Sequence, residues 1–208
     1  MRNRVLLFAT LLCWCIALLA ARIVYSHSYA YAFVVWNLFL AVIPAVAAAL
    51  FVRARSTFAK TLTFLVWLAF LPNAPYIATD FVHLRMRPGV PLWFDVALLF
   101  SCAAFGILLA FTSVADVQGV IAARYGHAIA WTFALAVLVL CGFGIYLGRF
   151  LRWNSWDLAT EPFARMSYLA TSATHPLAHP RTLAVTLIYG ISLAIGYAAF
   201  RVTQASSR

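Results

Sequence analysis

The chain has 208 residues, 65% of them hydrophobic and 10% charged, with a mean hydropathy of +0.94. A soluble domain of this length cannot enclose so much apolar side chain, since such domains run to about 45–50% apolar and about 25% charged residues. The 15 Lys and Arg against 5 Asp and Glu give a net charge of +10, but these cations punctuate apolar runs and no nucleic-acid recognition motif accompanies them. A nucleic-acid partner is therefore not expected. The pattern predicts an all-α, polytopic transmembrane helical bundle whose cations anchor loops and contact membrane lipids.

Six apolar runs are predicted as the spans of one integral membrane domain covering 1–208: 5–21, 33–52, 58–71, 92–114, 128–148 and 183–200. Five approach or exceed the roughly 20 residues needed to cross a hydrocarbon core. The first follows Arg2 and Arg4 and is longer than the roughly 7–15 residues of a signal-peptide core, so it is read as an uncleaved span. Cys13, Cys15, Cys102 and Cys141 all fall inside apolar runs, without zinc or redox spacing, and are expected to be buried small side chains.

With the N-terminus inside, eight Lys and Arg lie in inner segments and seven in outer ones, a narrow margin. The short cluster Arg53, Arg55 and Lys60 favours cytoplasmic N- and C-termini. Parity is firmer, because the loops after spans one, three and five share a face in either orientation. That face holds Asp80, Asp95, Asp157 and Glu161, four of the five acidic residues, together with His27, His83, His175 and His179.

Two polar residues sit at span starts on that face. Asn37 follows Trp36 in span two, with interhelical hydrogen bonding as its plain role. Asp95 follows Trp93-Phe94 in span four. A carboxylate within a span is costly, by ~2.5–3.5 kcal/mol at mid-membrane and less near the interface, so Asp95 is expected to have a partner.

The third run is only 14 residues long, then meets Leu71-Pro72-Asn73-Ala74-Pro75-Tyr76-Ile77-Ala78-Thr79-Asp80-Phe81-Val82-His83-Leu84. Each proline removes an amide donor and crowds the preceding turn, so this span is expected to break near the headgroups. Irregular backbone at that depth must be buried in protein or line a wet cavity. Asn73 could cap the freed amides, and Thr79 or Asp80 a following short helix. On such a helix Asp80 and His83 would share a face, as an acid/base pair or as ligands of a divalent metal. The alternative is that Asp80 caps the helix and pairs with Arg85 or Arg87.

At the end of span five, Arg149 and Arg152 are spaced to point the same way and could clamp an anion. Asn154 and Asp157 follow, with Trp153 and Trp156 suited to the interface. Snorkelling arginines in an aromatic belt are the alternative. A short amphipathic helix is expected near Thr160-Glu161-Pro162, lying along the interface before the last span. His175 and His179 are each followed by proline, which argues against a preformed two-histidine metal site.

The segments Trp36-Asn37-Leu38-Phe39-Leu40-Ala41, Leu71 to Asp80 with His83-Leu84, and Arg152-Trp153-Asn154-Ser155-Trp156-Asp157 together resemble a bacterial family of predicted membrane proteins, domain of unknown function 1361. The resemblance implies a membrane bundle, in bacteria one of the inner membrane, and no particular activity.

Three functional expectations follow from the residues. In the first, a membrane-embedded hydrolase or transferase acts on an anionic lipid-linked substrate. Asp80, His83, Asp95 and Asp157 would be its catalytic groups, and Asn37, Asn73, Arg149, Arg152 and Asn154 its substrate contacts. The second is a non-catalytic membrane subunit or folding partner. The third is a small transporter, against which the polar residues gather on one face and no chain of them crosses the bundle.

Overall fold

The computed structural model describes residues 2–87, 89–153 and 179–206. The interfacial helix expected before the last span lies outside them, as do Asn154, Asp157 and His175. Among the described residues there is no β-strand, and six helices are long and apolar enough to cross a membrane. The chain is an integral membrane protein built on helices.

The elements run α1 (Arg2–Ser26), α2 (Phe33–Arg53), α3 (Thr57–Phe70), α4 (Asn73–Tyr76), a 3₁₀ helix (Ile77–His83), α5 (Leu92–Tyr125), α6 (His127–Phe150) and α7 (Pro180–Ser206). They form two units, Met1–Ser113 and Val114–Arg208, with α5 contributing to both.

Several helix ends have local causes. Ser56 caps α3, its Oγ accepting the Ala59 N–H at 3.2 Å. Gly126 ends α5 with φ 89°, a backbone region suited to a residue without Cβ. Pro180 opens α7 in the first turn, where a missing amide costs nothing, and Leu183 N–H bonds His179 O at 3.0 Å. The α5 helix runs eleven residues past the predicted boundary at 114. The apolar run ends there, but Asp116, Gln118 and Arg124 are compatible with helix, so hydropathy located the span edge and missed the helix end.

In the first unit the backbone around Pro72 stays helical while its winding changes. Leu71 has φ −53° and ψ −41°, Pro72 −60° and −24°, and Ile77 −55° and −30°. Pro75 has no amide to give Leu71 O, which instead accepts Ala74 N–H at 3.2 Å. That redirection frees Phe70 O, and Asn73 Nδ2 donates to it at 3.0 Å. Asn73 thus serves a carbonyl that the proline leaves without its helical donor. Thr79 Oγ1 donates back to Tyr76 O at 2.7 Å; Thr79 and Asp80 both lie inside the 3₁₀ helix, whose N-cap position is Tyr76. The helical path from Thr57 to His83 covers 27 residues, where the apolar run alone offered 14.

Burial follows the demand that irregular backbone be screened from lipid. Ala74, Pro75, Ile77, Thr79 and Asp80 are buried. Gly106 on α5 is what lets this segment in, since a Cβ there would lie 2.2 Å from Ala74 O. Trp67, Leu71, Leu38, Leu98 and Phe105 complete the core of this unit. Cys15 and Cys102 are buried there and Cys141 in the second unit, as expected, but Cys13 is exposed. It lies two residues from buried Cys15, on another side of the helix.

The second unit is a close crossing of α6 and α7. A Cβ on Gly142 would meet Thr186 O at 2.3 Å, and one on Gly190 would meet Val139 Cα at 2.7 Å. Small residues at a membrane helix crossing allow such backbone approach and the dispersion contacts that hold it.

Candidate functional site

In the first unit, four helix ends bring their polar residues together: the last turns of α1, the start of α2, the 3₁₀ helix and the first turn of α5. Arg22, one turn before the end of α1, is 1% exposed. Its Nε donates to Asp95 Oδ1 at 2.7 Å and its Nη2 to Asp95 Oδ2 at 3.4 Å, while Nη1 reaches Ser26 Oγ at 3.2 Å. Asp95 is itself 1% exposed. The forked guanidinium suits this task, because it offers two parallel donors to a carboxylate that lipid would leave unsolvated.

A second buried carboxylate, Asp80, is held from another helix, with Asn37 Nδ2 donating to its Oδ2 at 2.8 Å. Asp80 and His83 stand three residues apart in a 3₁₀ helix. With three residues per turn their side chains leave the same side of it, more nearly eclipsed than in an α-helix. The imidazole of half-buried His83 lies 4.9 Å from the Phe33 ring, centroid to centroid.

Tyr31 links these groups. It is fully buried, and its hydroxyl donates to His83 O at 3.2 Å. Arg22 and Arg87 both lie over its ring, at 4.6 and 4.8 Å from the centroid. Burial pushes the Tyr31 phenol above its ordinary pKa; the Asp95 charge adds to this, and the charges of Arg87 and Arg22 oppose it.

The predicted residues therefore divide. Asn37 and Asp80 touch, His83 is one turn on, and Asp95 meets a partner that the sequence left among loop anchors. Asn73 works at the Pro72 junction, bonded to Phe70 O. Arg149 and Arg152 belong to the second unit. The α6 helix ends at Phe150, and Arg152 takes φ 58°, with Trp153 N–H closing on Leu147 O at 3.1 Å. Arg149 therefore stands on the last turn of α6 and Arg152 beyond its end, so their three-residue spacing is not a spacing along one helix.

Arg22 and Tyr31 were missed, and for Arg22 a signal existed. Asp95 needed a cation at similar depth on the same face, and Arg22, placed within helical reach of the first span, met both conditions. For Tyr31 no such signal is present. Among the described residues no three or more His, Cys, Asp or Glu side chains gather to hold a metal ion; Asp80 and His83 would supply at most two ligands.

No curated protein and no solved structure matches the chain. The family described as "Protein of unknown function (DUF1361)" matches residues 36–195, a stretch that includes Asn37, Asp80, His83 and Asp95 and begins after Arg22 and Tyr31. By that match over most of its length, the chain belongs to this family of unknown function.

Proposed function

We propose that the protein is a multi-pass enzyme of the cell membrane with both termini cytoplasmic, a hydrolase or transferase acting on an anionic, lipid-linked substrate. The supporting observation is the placing of buried Asp80 and half-buried His83 one 3₁₀ turn apart, within a cluster of ionisable groups from several helices. Ionisable residues inside membrane segments are costly, and a functional role is the default reading of them. His83 serves as the general base, taking the proton of an attacking water or hydroxyl, and Asp80 stabilises the resulting imidazolium. Asn37 fixes the Asp80 carboxylate, a positioning role in place of substrate contact. Asp95 is spoken for by Arg22 and holds helices in place. The acid–base form is favoured over a metal form because no third ligand joins Asp80 and His83 among the described residues.

The experiment is release of phosphate or acyl product from a lipid pool by the protein reconstituted in nanodiscs, comparing wild type with Asp80→Asn and His83→Ala. Product release that depends on His83 at normal protein abundance supports the reading; release indifferent to both substitutions overturns it.

A second reading, a non-catalytic subunit or folding partner, is favoured by the way Arg22 satisfies Asp95 and Asn37 satisfies Asp80 across helices. It expects Asp80→Asn and Asp95→Asn to lower abundance, and His83→Ala, on a half-buried ring, to leave both abundance and phenotype intact.

A further inference from the structure

We propose that a cavity in the second unit, walled by Gln118, His127, Trp131 and Arg201, binds a phosphate-bearing anion, supplied as a phospholipid headgroup or as free phosphate. The cavity encloses about 320 Å³ between the last turns of α5, the first turns of α6 and the end of α7, at the lower end of the size of small-ligand sites. It exists because Gly119, Ala122 and Ala123 line one side of α5 with nothing larger than a methyl group. A Cβ built on Gly119 would meet no atom within 4 Å.

The polar groups around it are mostly donors. Gln118 Oε1 is already used twice, accepting from Tyr197 OH at 2.6 Å and from Arg201 Nη1 at 2.6 Å. These bonds fix the Gln118 amide and leave its Nε2 with no acceptor among the described residues. Arg201 Nη1 also reaches Tyr197 OH at 3.2 Å, and the guanidinium lies 5.9 Å from the Trp131 ring centroid. Its Nε and Nη2 have no acceptor, and it has no carboxylate partner, among the described residues. His127 and the Trp131 indole nitrogen are likewise without partners there, and no Asp or Glu among the described residues lines the cavity.

A half-buried guanidinium that makes no ion pair among the described residues, beside an amide, an indole and an imidazole, calls for an anion with several acceptor oxygens. Phosphate is the one whose geometry the arginine fork matches. Trp131 beside the site suits the headgroup level of a bilayer.

The test is isothermal titration of the full-length protein, in an uncharged maltoside detergent, with short-chain phosphatidylglycerol and separately with inorganic phosphate. Saturable binding is expected in wild type, weakened about tenfold or more in Arg201→Gln and partly restored in Arg201→Lys. Ala122→Leu fills the cavity and keeps every polar group, and is expected to weaken binding as well. Binding of the lipid alone assigns the site to a headgroup, and equal binding of inorganic phosphate with the same dependence on Arg201 assigns it to free phosphate. If neither probe binds, or if Arg201→Gln and Ala122→Leu both bind as wild type does, the proposal is overturned.

Discussion

Arg22 and Asp95 face each other through two hydrogen bonds, at 2.7 and 3.4 Å, with 1% and 2% of their side-chain surfaces exposed. The pair joins the end of α1 to the start of α5. Taking both charges out of water is costly, and their attraction offsets that cost only while both are present. Removing one leaves an uncompensated charge in a place that cannot solvate it. Arg22→Ala and Asp95→Ala are therefore each expected to destabilise the protein by about 3–5 kcal/mol, with the double substitution Arg22→Leu with Asp95→Leu close to neutral. Unfolding in mixed micelles followed by circular dichroism measures all three. A double variant as unstable as the singles would show that the pair's worth lies elsewhere.

The two close backbone approaches give a second expectation. In an ordinary helix interior, Gly to Ala stabilises by up to about 1 kcal/mol. At Gly106 the added methyl would lie 2.2 Å from Ala74 O, and at Gly142 it would lie 2.3 Å from Thr186 O. Both obstacles are backbone, which yields only if helices move apart. Gly106→Ala and Gly142→Ala are each expected to lower stability by about 1–3 kcal/mol, while Gly119→Ala, which meets nothing, raises it. Melting temperatures of the three variants decide the matter, and a neutral Gly106→Ala would mean that the Pro72 segment does not pack this tightly.

At Arg152 the expected sign is reversed. Its φ of 58° lies in the left-handed region, as does His27 at 50°, and a side chain there costs roughly 1–2 kcal/mol relative to glycine. Glycine also gives the unfolded chain more freedom, which offsets part of the gain. Arg152→Gly is therefore expected to be neutral or stabilising by up to about 1 kcal/mol in a melting experiment. If Arg152 holds an anion as the sequence suggested, the same variant loses that function without losing stability.

The spans were legible because lipid makes apolar composition itself the signal: α2 and α6 fall within two residues of the runs 33–52 and 128–148. Helix ends were less so, since a helix outlasts its apolar stretch wherever polar helix formers continue it, as from Asp116 to Tyr125. Parity put Asn37, Asp80, His83 and Asp95 on one face, and in the first unit they do lie at neighbouring helix ends. Which side chain meets which was not legible. Asn37 and Asp80 are 43 residues apart in sequence, and Arg22 and Asp95 are 73 apart. Residue spacing reports only on neighbours within one helix, and between Arg149 and Arg152 the helix ends.

Tyr31 carries the last expectation, a dependence on pH. Burial, with the Asp95 charge behind it, raises the phenol's pKa in the folded protein above the ordinary value of about 10. Below that ordinary value the phenol is neutral in folded and unfolded chains alike, and its contribution to stability is fully present. Above it the unfolded chain releases the proton while the folded one still holds it, so unfolding gains ground with every rise in pH until the folded pKa is passed. Wild-type melting temperature is thus expected to fall more steeply above about pH 10 than that of Tyr31→Phe, which has no proton to lose. Below that pH, Tyr31→Phe sits lower by the lost hydrogen bond to His83 O, about 0.5–1.5 kcal/mol. Parallel alkaline slopes in the two proteins would mean that Tyr31 ionises as freely folded as unfolded, and that the junction between Arg22, Arg87 and His83 is open to solvent.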